Sequence, residues 1–178
     1  MTTYINLYGG PGTGKSTTAA GLFHYMKLMG LKCELITEFA KDLAYEDRIH
    51  TDQLLIFSEQ YARMARVKDK VDYAISDSPL LLSHIYAKGT HWENIHFHEL
   101  VRYANDFLGH QEHIFLKRIK PYHRYGRVQT ERQAIELDTL IQEMLNDEVS
   151  CYYRVEATDT APYRILEALD LPLPGDNN

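Results

Sequence analysis

The sequence predicts an α/β sandwich, a parallel sheet with helices on both faces, and two observations carry that prediction. Five short β-rich runs alternate with longer helical patterns, and parallel neighbours need such crossovers, which place helices over both sides of the sheet. A glycine-rich loop, "GGPGTGKST" at residues 9–17, stands between the first run and the first helix. At 178 residues the chain suffices for one domain with a sizeable core. That domain is read as residues 1–170, followed by a flexible tail, "LPLPGDNN", at 171–178.

The runs are "TYINLY" (3–8), "KCELIT" (32–37), "DYAISD" (72–77), "EHIFLKR" (112–118) and "SCYYRV" (150–155). Each mixes β-branched and aromatic residues over a strand's length. The first helix starts at Lys15, carries Leu22, Tyr25, Met26 and Met29 at helical spacing, and stops at Gly30, a residue suited to a C-terminal cap. Thr51 or Asp52 caps the helix bearing Leu54, Leu55, Phe57, Tyr61 and Met64. Cys33 and Cys151, the two cysteines, fall in strand runs.

Composition narrows the function classes. Hydrophobic residues at 44% and charged residues at 25% match a globular chain. A net charge of −6 argues against a protein that coats nucleic acid through a general positive field. Two cysteines cannot build a disulfide framework or a four-cysteine zinc site, so a reducing, cytoplasmic setting is expected. No run of eighteen apolar residues and no charged-then-apolar leader occurs, so neither secretion nor membrane spanning is expected.

Gly9, Gly14, Lys15 and Ser16 complete the pattern G-x-x-x-x-G-K-[ST]. Glycines let the backbone curl so that successive N–H groups face phosphate oxygens, and the following helix adds its positive N-terminus. Gly10, Pro11, Gly12, Thr13, Gly14, Lys15, Ser16 and Thr17 are therefore the expected nucleotide-binding residues. Lys15 would reach the β- and γ-phosphates and Ser16 would ligate Mg²⁺.

The loop alone does not separate kinases, switch GTPases and motor ATPases. The spelling "GPGTGKST" resembles AAA-type ATPases, but a motor would carry an apolar strand ending in Asp-Glu, and here the strand ends "AISDSP". The guanine signature N-K-x-D of a GTPase is absent, and "DFLG" at 106–109 lies in a helical pattern. Glu38 after "LIT" and Asp77 after "AIS" favour a kinase, because both project from the C-terminal edge of the sheet. One can activate an attacking hydroxyl while the other holds Mg²⁺; as alternatives, each could merely cap a helix. Between the fourth strand and its helix, Lys117, Arg118, Lys120, Arg124, Arg127 and Arg132 stand against one acid, Glu131. The stretch 119–131, bracketed by Pro121 and Gly126, is the candidate lid, and Arg124 and Arg127 are its preferred phosphate-facing pair. The histidines of "HWENIHFH" and "GHQEH" lack cysteine partners and are read as solvated or locally hydrogen-bonded groups.

The ordered blocks "YGGPGTGKST", "ITEFAKDLA", "LLIFSEQYARM", "AISDSPLLLSHIY", "PYHRYGRVQTERQA" and "IELDTLIQEML" resemble the small P-loop kinases related to the ribosylnicotinamide kinase domain, a group with many phage-encoded relatives. The resemblance implies a three-layer P-loop fold with strand order 2-3-1-4-5, and ATP- and Mg²⁺-dependent phosphorylation of a hydroxyl on a nucleoside- or nucleotide-type acceptor. Glu38 resembles the acid after strand two of deoxynucleoside kinases. Gln60 and Arg63 fall on the helix from which such enzymes contact the acceptor base or its neighbouring acid, and Tyr122 on the lid is a further acceptor candidate. Relatives often read Asp-Gly-x-Arg in the lid, where this chain has Arg124-Tyr125-Gly126-Arg127. A more basic lid suits an acceptor already carrying phosphate. Phage relatives that phosphorylate hydroxymethyluracil in DNA supply an alternative acceptor, and a regulatory ATP-binding switch supplies another class. Adenine is expected near "EATDTAPYR", beside Arg164, and the chain is expected to be a monomer or homodimer.

Overall fold

The computed structural model describes residues 1–48, 51–119 and 130–175. The chain runs β1 (Thr3–Tyr8), α1 (Lys15–Leu28), β2 (Cys33–Ile36), α2 (Phe39–Tyr45), α3 (Gln53–Ala65), β3 (Tyr73–Ser76), α4 (Leu82–Tyr86), α5 (Ile95–Leu108), β4 (Gln111–Lys117), α6 (Glu131–Glu148), β5 (Tyr153–Glu156) and α7 (Ala161–Ala168). The strands form one sheet in the order β2-β3-β1-β4-β5, and every pair is parallel. The α/β P-loop fold read from the sequence is the fold observed.

β1 is central and buried from Tyr4 to Tyr8, as a parallel strand covered on both faces must be. Its side chains alternate between two cores, following the two-residue period of a strand. Tyr4 and Tyr8 enter one core with Phe57, Phe97, Val101 and Ile141, which come from α3, α5 and α6. Ile5 and Leu7 enter the other with Leu22, Met26 and Ile165, from α1 and α7. The outer strands β2 and β5 are more exposed. The tail at 171–178 begins with Leu171 and Leu173 packed against the second core. No helix among the described residues is long and apolar enough to cross a membrane.

Several local readings gain detail. Asp52, not Thr51, caps α3, accepting from the Leu54 N–H at 2.9 Å. Its two oxygens also accept from Trp92 Nε1 at 2.8 and 2.9 Å, and these bonds hold its carboxyl below the usual range. Cys151 does not lie in a strand. It is exposed, because pairing to β4 begins two residues later, at Ile114 with Tyr153. "DFLG" ends α5, with Gly109 at its C-cap.

The histidines divide by burial. His110 bonds Glu112 at 2.8 Å on the surface. His113 lies in β4, and its Nδ1 meets the Tyr8 hydroxyl at 2.9 Å. His98 Nδ1 meets His84 Nδ1 at 2.9 Å, and His84 is 4% exposed. Glu148 Oε1 lies 3.6 Å from His84, and Arg102 forks onto both Glu148 oxygens at 2.7 and 2.6 Å. Burial pushes both His84 and His113 down to about 4, so both rings are neutral in the folded protein at pH 7.

A histidine whose folded pKa lies below its unfolded value of 6.5 binds fewer protons in the native state. Its stabilising contribution is complete above pH 6.5 and is lost as pH falls toward 4, each unit of depression corresponding to about 1.4 kcal/mol. The urea midpoint is therefore expected to fall steadily between pH 7 and pH 5, and His113→Gln to flatten that slope. An equal slope in the variant would remove His113 as a cause.

Candidate active site

The strand order reverses at β1, which has β3 on one side and β4 on the other. A crevice opens at such a switch point beyond the C-terminal strand ends, where open α/β sheets bind ligands. The loop after β1 fills it. Gly14, in the left-handed region at φ 101°, forms the N-cap of α1 without a side-chain cap bond, and no acid occupies the first turn. The N–H groups that open α1 thus lack a side-chain acceptor, and the helix start favours an anion. Thr13 is buried and its hydroxyl donates to the Gly10 carbonyl at 2.9 Å, so its side chain shapes the loop from within. Ser16 and Thr17 are exposed on the first turn. Lys15 folds back over the loop, its Nζ donating to the carbonyls of Gly9 at 2.7 Å and Gly10 at 3.4 Å.

Strand register brings the two predicted carboxylates together. Ser76 of β3 aligns with Ile36 of β2 and with Asn6 of β1, so Asp77 emerges one residue past that line and Glu38 two. Neither is a side-chain cap: Glu38 is the N-cap residue of α2 but makes no cap bond, and Leu81 is the N-cap residue of α4. Asp77 is 4% exposed, and its Oδ1 has no hydrogen-bond partner among the described residues. A buried acceptor without a donor is costly, and a cation or a ligand hydroxyl would satisfy it.

The electrostatics tie these groups to Lys15. Burial pulls the Lys15 ammonium down, while Glu38, Asp77 and Asp138 push it back up. Burial raises the Glu38 carboxyl above its usual range; Lys15 opposes that shift, and the neighbouring Asp77 charge adds to it. Tyr86 of α4 is raised by burial and then by the charges of Glu38 and Asp138.

Asp138 was not singled out by sequence reasoning. Its Oδ1 accepts from the Gly10 N–H at 2.5 Å and its Oδ2 from Arg118 Nε at 2.9 Å. The signal was present: Asp138 is an acid on the apolar stripe Ala134, Leu137, Ile141, Met144 and Leu145, which α6 turns toward the core. An acid on a buried stripe needs a partner. Tyr86 carried no comparable mark, since a tyrosine in an apolar run reads as core.

The acceptor candidates separate. Gln60 is buried and its Oε1 accepts from the Phe39 N–H at 2.9 Å, which holds the segment after Glu38; its Nε2 has no partner among the described residues. Arg63 is bonded to Asp42 and to the Thr37 carbonyl at 3.3 Å, and lies over the Phe39 ring. Those bonds make it a brace for the β2–α2 junction. Tyr122, Arg124 and Arg127, with most of the candidate lid 119–131, lie outside the described residues. The candidate stretch ends at the start of α6, whose N-terminus carries a capping box of Thr130 and Gln133. Arg164 pairs with Glu167 at 2.9 Å on the surface of α7, while Ala157, after β5, lies beside Gly14.

The start of the loop tolerates no side chain. A Cβ at Gly10 would lie 2.6 Å from the Ala134 carbonyl oxygen and 2.8 Å from Asp138 Oδ1, and the first of these is helix backbone that cannot turn aside. Gly10→Ala is expected to weaken nucleotide binding at least about tenfold and to lower the melting temperature. Titration with a labelled nucleotide checks this, and unchanged affinity would show that α6 does not constrain the loop.

Among solved structures, deoxyadenosine kinase from M. mycoides, determined with products dCMP and a flexible dCDP bound, is similar, with a TM-score of 0.57 and 14% sequence identity over 94% of this chain and 98% of that one. At that identity the likeness is one of fold. No curated protein matches the sequence. The family described as "AAA domain" matches residues 4–161, from β1 through the first residue of α7, in keeping with the spelling of the loop. A strand–loop–helix of this geometry and a family match over most of its length lead to one conclusion: the chain belongs to the AAA domain family of P-loop proteins.

Proposed function

We propose that this protein is a kinase that transfers the γ-phosphate of ATP to a hydroxyl of a nucleoside- or nucleotide-type acceptor, with residues 1–170 as one catalytic domain. The observation that carries the reading is the convergence of Lys15, Glu38 and Asp77 at the switch point, with one Asp77 oxygen buried and unpartnered. A loop that grips phosphates needs no such carboxylates merely to bind; two acids facing the transferred group supply what an acceptor hydroxyl requires. The likeness in fold to a deoxyadenosine kinase supports the same class of acceptor.

In this reading the amides from Gly12 to Ser16 hold the phosphate chain, since the Gly10 N–H is engaged by Asp138 and Pro11 has none. Lys15 exchanges its bonds to the Gly9 and Gly10 carbonyls for phosphate oxygens. The Ser16 hydroxyl and the unpartnered Asp77 oxygen fit a Mg²⁺ ion, whose chemistry is to offset phosphate charge and orient the γ-phosphoryl group. Glu38, raised by burial, is the base that accepts the proton of the attacking hydroxyl, and Asp77 orients the reactants from the opposite side. Adenine rests near the segment after β5, where Ala157 approaches the loop. Relationship to ribosylnicotinamide kinase-like proteins, a phage origin and a cytoplasmic setting belong to the same reading.

Transfer from γ-labelled ATP with Mg²⁺ tests it directly. A panel of nucleosides and nucleotides is offered in one reaction and hydroxymethyluracil-containing DNA in another. Label in a small product supports the proposal; label in DNA moves the acceptor to the polymer, an idea that rests on the basic stretch 117–132; slow hydrolysis with tight binding and no transfer replaces the kinase with a switch. Lys15→Ala is expected to abolish transfer. Asp77→Asn is expected to lower kcat by two or more orders of magnitude (~10²-fold) while changing nucleotide affinity far less; equal losses in both would make it structural.

Because Glu38 must be deprotonated to act and its pKa is raised, activity is lost as pH falls through that raised value. The acid limb of the kcat profile is therefore expected above the ordinary glutamate value of 4.5, and Glu38→Gln should remove both that limb and most of the rate. A wild-type limb surviving in the variant would transfer the base role to Asp77.

A further inference from the structure

The peptide unit joining Gly9 to Gly10 is held at both ends by charge. Its carbonyl, on Gly9, accepts from Lys15 Nζ at 2.7 Å. Its N–H, on Gly10, donates to Asp138 Oδ1 at 2.5 Å. The other oxygen of Asp138 accepts from Arg118 Nε at 2.9 Å. The result is a continuous line, Arg118 to Asp138 to peptide to Lys15, in which cation, anion, dipole and cation alternate. Each link polarises the next, so the carboxylate strengthens the Gly9 carbonyl as an acceptor for Lys15.

Burial makes the line consequential. The Arg118 and Asp138 side chains are 12% and 14% exposed, so the pair is weakly screened. The approach is close: a Cβ at Gly10 would meet Arg118 Nη2 at 3.3 Å, which puts the guanidinium over the start of the loop. Arg118 opposes protonation of Lys15 while Asp138 favours it, so the two cations share one neighbourhood and the carboxylate between them offsets their repulsion. Without an anion, two cations this near the switch point would separate.

We propose that Asp138 is a positioning residue that holds Arg118 beside the phosphate loop as a second cation for the terminal phosphate of a nucleoside triphosphate, and that until the nucleotide arrives it sets the place of Lys15 through the Gly9–Gly10 peptide. A terminal phosphate carries more charge than the phosphates behind it and gains most from two fixed positive groups. Charge that spreads over the transferring phosphoryl oxygens is offset by groups already in place. The inference rests on the nucleotide-binding part of the reading above, not on the identity of the acceptor.

The test separates support of the fold from support of the phosphate. Breaking a buried pair by removing one partner leaves a lone charge and destabilises the protein, whereas removing both charges does not. The double variant Arg118→Met/Asp138→Asn keeps an acceptor for the Gly10 N–H and leaves no buried charge in the pair. Its melting curve is measured with calorimetric titration of Mg²⁺-ADP and of a Mg²⁺-loaded non-hydrolysable ATP analogue, on the full chain, beside wild type and each single variant.

The double variant is expected to melt close to wild type and to bind ADP within about threefold of it, yet to lose about tenfold or more in affinity for the triphosphate. Retention of the wild-type preference for triphosphate over diphosphate in this folded variant would overturn the proposal and leave the pair a structural brace. A double variant that does not fold leaves Arg118→Gln as the arbiter, since glutamine can still donate to Asp138 but carries no charge: an unchanged preference for triphosphate in that variant overturns the role as well. A wild-type chain that binds neither nucleotide overturns this inference and the proposed function together. One that binds both but transfers to no acceptor overturns only the kinase reading, and the triphosphate preference still decides the role of Asp138.

Discussion

The Lys15 ammonium, drawn into the crevice beyond β1, is the charge around which the rest of the structure is arranged. Burial disfavours it, and Glu38, Asp77 and Asp138 compensate from three directions. Each of these acids comes from a different element, so the ammonium links the end of β2, the end of β3 and the face of α6. Loop carbonyls hold the same group in place.

The sheet makes that arrangement possible. Parallel strands in the order β2-β3-β1-β4-β5 send all their C-terminal ends to one edge, and the reversal at β1 leaves room there for a ligand. The central strand is rigid because both of its faces are buried in separate cores. Side chains mounted just beyond its neighbours therefore keep their spacing, which positioning of reactants demands. Gly10 lies so close to α6 that helix and loop behave as one surface.

The far side of the first core contains a second polar network, in which His84, His98, Glu148 and Arg102 join α4, α5 and the end of α6. Its buried imidazole, that of His84, is kept neutral by burial. The two networks share α6, which contributes Asp138 near its start and Glu148 at its end. Stability and the proposed chemistry thus meet in one helix, whose N-terminus is fixed by the Thr130 and Gln133 box.

Local signals settled the sheet, the loop and the positions of Lys15, Glu38 and Asp77, because each depends on spacing within a few residues. Strand periodicity and the pattern from Gly9 to Ser16 are short-range features, and a parallel sheet then puts strand-end residues on one edge without further information. The partners of those residues were decided only in three dimensions. Arg63 meets Asp42 from twenty-one positions away, and Asp138 meets Gly10 across 128 positions. Such contacts follow from how α6 crosses the sheet and how closely it approaches a glycine. The sequence by itself therefore determined where the glycine-rich loop and its neighbouring carboxylates would lie, and the tertiary structure decided which buried charges hold the loop in shape, because desolvation and pairing are properties of distance in space rather than distance along the chain.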